Sequence, residues 1–224
     1  LQIIPIFYLV IFESLTLNSI GAYNFFELDL GTFGIPFTFL CVLFLINAFN
    51  YFDGVDGILG LTSISVLCIL YFLISDKNIQ IFLITILVPV ILFLCFNFSI
   101  FKLPKLFLGD SGSLLLGFII SFTLIYFAKQ NLVHPILLAW SIVIFVYEFL
   151  SLNLIRIKKN QDPFKPGQDH LHHIILNKTN SVLITNICIT LGNIFLFLIG
   201  YLSFLLINAF VSFVLFIFLF LFFL

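Results

Sequence analysis

Long apolar runs separated by short polar stretches cover this chain from end to end. A membrane-spanning helix needs roughly 20 apolar residues, and runs near that length are read at Leu1–Leu17, Ile35–Phe49, Ile58–Ser75, Ile79–Phe98, Leu114–Ala128, Pro135–Ile155, Val182–Phe204 and Leu205–Leu224. The pattern predicts an all-α, polytopic transmembrane helix bundle of about eight spans, with residues 1–224 as one integral-membrane domain. Pro89 sits inside the fourth run, where a membrane helix tolerates it. Glu13, near Ser14, Thr16 and Asn18, is expected to snorkel to an interface, and residues 20–34 read as a polar loop.

If the spans alternate sides, three polar segments fall on one face: Asn47–Gly57, Ser99–Gly112 and Arg156–Ser181. That face carries Lys102, Lys105, Arg156, Lys158, Lys159, Lys165 and Lys178, against Lys77 and Lys129 on the other. The excess of positive charge marks it as cytoplasmic.

Composition supports this reading. Only 8% of residues are charged and mean hydropathy is +1.29, whereas soluble domains carry about a quarter charged residues. A soluble enzyme is excluded, and no nucleic-acid partner is expected. The 33 phenylalanines are spread over every span and read as lipid-facing filler. Cys41, Cys68, Cys95 and Cys188 lie inside apolar runs without metal-ligand spacing and read as small buried hydrophobes. There is no methionine, and the chain opens Leu1-Gln2-Ile3 without a cleavable signal pattern, so an N-terminal segment is expected to precede it.

The first polar cluster places Asn47, Asn50, Asp53 and Asp56 at intervals of three. In a continuous helix each such step turns the chain by roughly 300°, so one helical stripe cannot gather all four. Gly54 and Gly57 allow the backbone to leave helical geometry after Asp53 and bring Asp56 back. Carboxylate and amide oxygens at a membrane edge suit Mg²⁺, which is held by one or two carboxylates plus substrate phosphates. A helix C-cap followed by an Asp-Gly turn is the simpler alternative, and it leaves the four polar side chains unexplained.

The second cluster, Phe107-Leu108-Gly109-Asp110-Ser111-Gly112-Ser113, directly precedes a span. Ser111 or Ser113 can cap that helix, whose N-terminal amides attract anions, and Asp110 can share a metal with a phosphate. Capping alone would also account for these residues. The third cluster, Pro166-Gly167-Gln168-Asp169-His170-Leu171-His172-His173, holds three histidines in four residues. They can bind a transition metal, donate to phosphate or sit at headgroup level. Zinc is disfavoured because no cysteine or acidic ligand follows at fixed spacing, and the neighbouring lysines and arginine favour phosphate. His134, on the other face, has no assigned role. Glu148 lies within a span and is a functional candidate, with pairing to a polar neighbour as the equal alternative.

In order, spacing and side, these three motifs resemble the polyprenyl-phosphate N-acetylhexosamine-1-phosphate transferase family, and the His-Leu-His-His form resembles its O-antigen and teichoic acid branch. The resemblance covers the whole chain. It implies transfer of a sugar 1-phosphate from a UDP-N-acetylhexosamine to undecaprenyl phosphate with release of UMP, initiating a cell-envelope polysaccharide. The implied setting is the bacterial cytoplasmic membrane with the active face cytoplasmic. It further implies Mg²⁺, with Mn²⁺ as a substitute, held by Asn50 and Asp110. Asp53, Asp110 and His170 would be catalytic, Asn47, Asp56, His172 and His173 would bind substrate, and Phe107 would lie against uracil. Membrane lipid is the surrounding partner, and a homodimer is left open.

Two departures stand out. The family's Asp-Asp pair, on a cytoplasmic loop upstream of the first residue here, is not in this chain, which alone is expected to be inactive. Gln168 stands where relatives usually carry arginine, which bears on sugar selectivity. A catalytically dead homologue acting as a scaffold, or a polytopic carrier, are the competing readings.

Overall fold

A computed structural model describes residues 2–162, 167 and 169–224. Ten α-helices are present among them: α1 (Ile3–Phe7), α2 (Gly34–Phe52), α3 (Ile58–Leu73), α4 (Lys77–Asn97), α5 (Gly109–Lys129), α6 (Pro135–Ser141), α7 (Val143–Lys158), α8 (Leu171–Thr179), α9 (Val182–Leu206) and α10 (Ala209–Phe223). The all-α membrane bundle is as expected. The count of about eight spans is not met by length. Four described helices are long and apolar enough to cross a membrane, or five if α6 and α7 form one bent span. Ile3–Phe12, α3 and α10 are apolar but shorter.

The boundaries differ from the hydropathy reading in three places. Residues 20–34 are not simply a loop: β1 (Ser19–Tyr23) and β2 (Phe26–Asp29) pair antiparallel with Ala22 opposite Glu27. His134 ties this hairpin to the bundle, its Nε2 lying 3.1 Å from the Ala22 carbonyl while its Nδ1 accepts from the Ile136 amide at the start of α6. Helix α5 begins at Gly109 rather than Leu114, so Asp110 occupies its first turn.

The sixth apolar run is broken, α6 and α7 meeting at 77°. A break in a membrane helix frees backbone groups that lipid cannot satisfy. Asn193 of α9 supplies the partners here. Its Oδ1 accepts from the Ile144 amide (3.3 Å), and its Nδ2 donates to the Ser141 carbonyl and to Ser65 Oγ (3.1 Å each).

Helices α2 and α5 approach closely because Gly117 has no side chain. A Cβ there would stand 3.0 Å from both Ile46 Cα and Phe49 Cβ. Phe49 in turn stacks on Phe145 of α7 with ring centroids 4.1 Å apart. These contacts bring the ends of α2, α5 and α7 together. Phenylalanines such as Phe72, Phe195, Phe218 and Phe222 face outward as the lipid-facing reading expects, but Phe49, Phe52, Phe127 and Phe145 are fully buried and build the core instead. The cysteines do not behave as buried hydrophobes: Cys41 and Cys95 are half-buried, and Cys68 and Cys188 face outward. In a bilayer the outside of a span is also apolar, so a hydrophobic residue is not driven inward.

Candidate functional site

The site assembles where α2 ends. The last turn of α2 carries Asn50, and its amide donates to Ser113 Oγ (2.9 Å) and Asp110 Oδ1 (3.3 Å) on α5. Neither serine caps α5 as expected. Ser113 Oγ instead turns back to the Gly109 and Asp110 carbonyls at 3.2 Å, inside the first turn. The helical ladder already satisfies deeper amides, so a serine at this position bonds backward.

After Phe52 the chain leaves the helix. Asp53 takes φ −81°, ψ 54°, and Gly57 takes φ +77°, a left-handed conformation that favours glycine. A side chain at Gly57 would also overlap the ring of Phe98. This is the departure from helical geometry that the Gly54/Gly57 pattern predicts. It turns Asp56 toward Lys105, whose Nζ lies 2.6 Å from Asp56 Oδ2. Asn186 of α9 fixes the same turn by donating to the Asp56 carbonyl (2.8 Å). Lys105 Nζ also stands 5.0 Å from the ring centre of Phe107, which is itself exposed.

Asp53 lies between these groups. Burial first, and then the nearby Asp110 carboxylate, push its carboxyl up to about 6, with His172 acting in the opposite direction. Asp53 and Asp110 therefore place an excess of negative charge beside Asn50, whose amide nitrogen faces Asp110, and paired carboxylates of this kind fit a magnesium-like cation. Asn47 is not joined to them. Its amide donates to the Leu43 carbonyl (2.6 Å), one turn down its own helix.

The histidines form the adjoining wall. Asp169 is held by Arg156 through two hydrogen bonds, Nε to Oδ2 at 3.0 Å and Nη2 to Oδ1 at 2.6 Å. That pairing holds the Asp169 carboxyl below the usual range. His170 and His172 are both buried against Glu148 of α7, and Glu148 Oε1 also accepts from the Leu171 amide (3.0 Å). A Cβ on Gly54 would overlap the His172 ring, so this wall abuts the Asp53 turn directly. His173 is partly exposed, and burial followed by the neighbouring His172 and His170 lowers its imidazole from the ordinary value. Gln168, Lys165 and Pro166 lie outside the described residues.

Asp53, Asp56, Asp110, Asn50 and the histidines thus gather at one end of the bundle. Sequence reasoning missed the part that three residues play here. Ser113 looked like a cap, Lys105 like a topological charge, and Asn186 was not singled out. Glu148 was singled out, but its pairing with the histidine motif was not foreseen.

An all-α bundle with long apolar helices and a polar wall of carboxylates, amides and imidazoles at one end is an integral membrane protein built around a polar-ligand site. Residues 1–128 match the family described as glycosyl transferase family 4, and the chain belongs to that family. It is similar to the undecaprenyl-phosphate alpha-N-acetylglucosaminyl 1-phosphate transferase of Yersinia pestis, 30% identical over 83% of this chain and 53% of the relative. The Shigella flexneri protein of the same name is 28% identical over 87% and 55%. The chain spans about half the length of these curated relatives.

Proposed function

We propose that the complete protein transfers N-acetylhexosamine 1-phosphate from a UDP-sugar to undecaprenyl phosphate at the cytoplasmic face of a bacterial inner membrane. The observation that carries this reading is the convergence of Asn50 with Asp110 and Ser113, 60 and 63 residues further along the chain, beside the half-buried Asp53. Family membership and the names of the relatives support it.

In this reaction an oxygen of the lipid phosphate attacks the β-phosphorus of the UDP-sugar. The bond from that phosphorus to the bridging oxygen breaks, UMP departs, and a lipid pyrophosphoryl sugar remains. Phosphoryl transfer of this kind rests on positioning and charge neutralisation more than on covalent chemistry. Asn50 and Asp110 would hold Mg²⁺ or Mn²⁺, which supplies neutralisation of phosphate charge when bound. Asp53, with a carboxyl near 6, exchanges a proton with the lipid phosphate close to neutral pH. Lys105 holds Asp56 and lies beside Phe107, which offers its exposed face to uracil. His173, the partly exposed imidazole, donates to phosphate or sugar, with His170 and His172 packed behind it.

A cavity of about 440 Å³, lined by Leu45, Leu124, Leu138, Ile142 and other apolar residues, reaches Val146 and Leu150 on α7 and suits a polyprenyl tail. A carrier reading fits less well. The mid-span polar residues Ser65, Ser141 and Asn193 are engaged with one another at the helix break.

The complete protein in detergent, given UDP-N-acetylhexosamine, undecaprenyl phosphate and Mg²⁺, is expected to release UMP. Asp110→Asn should lower turnover by roughly 10²-fold or more while circular dichroism stays helical. Undiminished turnover in that variant refutes the site assignment.

A further inference from the structure

We propose that Glu148, His170 and His172 form a second metal site, selective for a borderline divalent transition metal of which Zn²⁺ is the appropriate probe. It shares no ligand with the oxygen-rich Asn50–Asp110 pair and does not depend on the reaction proposed above.

The geometry is that of a coordination shell. Glu148 Oε1 lies 3.3 Å from His170 Nδ1 and 3.6 Å from His172 Nδ1, and one ligand atom from each residue falls within 4.8 Å of the others. Ligands bound tetrahedrally at about 2.0–2.1 Å stand roughly 3.3 Å apart. Two edges of such a shell are therefore already in place.

The hydrogen bonding is incomplete without an ion. All three side chains are buried, with His172 at 0% exposure. Among the described residues, neither nitrogen of His172 nor Glu148 Oε2 has a hydrogen-bond partner. Buried polar groups are nearly always satisfied. A proton shared between His170 and Glu148 would answer for one imidazole and leave His172 unpaired. A single cation takes one nitrogen from each ring and one carboxylate oxygen, so it answers for His172 Nδ1 as well as for the His170–Glu148 contact.

The ligand type selects the ion. Two imidazoles and one carboxylate match the three-ligand set of open zinc sites and disfavour Mg²⁺ or Ca²⁺, which prefer oxygen alone. Supporting contacts hold the ligands in place, as outer-shell groups do at metal sites. The Leu171 amide donates to Glu148 Oε1, the Arg156 guanidinium grips Asp169 just before His170, and Phe52 packs edge-on to the His172 ring. Sequence spacing hides the set because the acidic ligand precedes the histidines by 22 residues, on another helix.

An ion bound here would pin α8 to α7 immediately behind the Asp53–Gly54 turn. Its role would be to hold that wall, with a fourth coordination position left to water or a substrate oxygen.

The test is metal content of the complete protein, purified in detergent, stripped with chelator, reloaded with Zn²⁺ and passed through gel filtration without substrate. The wild type is expected to retain about one Zn²⁺ per chain, as three buried protein ligands hold the ion through separation. His172→Ala and Glu148→Gln should each retain less than about a tenth of that, with the near-isosteric glutamine variant keeping the wild-type circular dichroism. Co²⁺ loading should give the visible absorption of a tetrahedral site in the wild type and not in either variant. Asp110→Asn should retain Zn²⁺ like the wild type, which separates this site from the proposed catalytic one. The proposal is overturned if the wild type holds no more Zn²⁺ than Glu148→Gln, or if Asp110→Asn loses it equally.

Discussion

Replacing Gly54 with alanine tests whether the Asp53 turn and the histidine wall are one mechanical unit. The backbone of Gly54 is not in the left-handed region, so alanine meets no conformational penalty there. The obstacle is steric. The added methyl would overlap His172 Nε2, with Cδ2 at 3.1 Å and Cε1 at 3.2 Å on either side. His172 has nowhere to retreat, being fully buried, stacked on His170 at 5.2 Å and packed against Phe52 at 5.8 Å.

Overpacking of this kind costs about 1–3 kcal/mol. For a chain of this size that lowers the thermal midpoint by roughly 2–12 °C. The turn that yields carries Asp53, and misplacing a reacting group by about 1 Å costs up to 10²-fold in rate. Gly60→Ala is the control. Its obstruction is Leu94 Cδ2 at 2.7 Å, the free end of a side chain that can rotate. Its mid-helix position also gains about 0.5–1 kcal/mol from alanine, so its midpoint should hold or rise. Thermal unfolding followed by circular dichroism, with UMP release from the complete protein, reads both effects. If Gly54→Ala melts and turns over like the wild type, the two walls are not in contact as described.

Other perturbations separate stability from chemistry. Asp53 titrates near 6 in the folded chain, raised from 3.8, so the native state holds an extra proton between those values. Metal-free stability should therefore fall as pH rises through that window, and Mg²⁺ affinity should rise over the same range, both trends flattening in Asp53→Asn. Titration calorimetry in buffers of different ionisation enthalpy checks the coupled proton release. Asn193→Ala removes the partners of the Ile144 amide and Ser141 carbonyl at the helix break. At about 1–3 kcal/mol for each group left unpaired, the thermal midpoint should drop measurably, and an unchanged midpoint would show that the break supports itself. Lys105→Ala breaks an ion pair whose side chains are 44% and 31% exposed, so stability should change by less than about 1 kcal/mol. The Michaelis constant for the UDP-sugar should rise instead, and a change confined to stability would argue against a nucleotide role for Lys105.

Much of this protein follows from local pattern. Runs of apolar residues near membrane length become helices because lipid leaves the backbone no other way to satisfy its amides and carbonyls. Gly54 and Gly57 announce that the helix ends at Asp53, since the residue types alone permit the turn that Gly57 completes at φ +77°. The polarity of Asn50, Asp53, Asp56, Asp110 and the histidines at the edges of such runs was enough to nominate them together.

What the chain alone leaves undecided is which polar residues meet. Lys105 reaches Asp56 across 49 residues, and Asn50 reaches Asp110 across 60. The 77° break between α6 and α7 is satisfied by Asn193, a residue of α9. Each contact depends on helices packing through features such as Gly117 and Phe49, which no periodicity encodes. Sequence determined that a polar site lies at one end of an apolar bundle, because hydrophobicity and backbone freedom are properties of neighbouring residues. Tertiary structure decided that Glu148 serves the histidines, because a buried carboxylate takes its partner from whichever helix packing brings within reach.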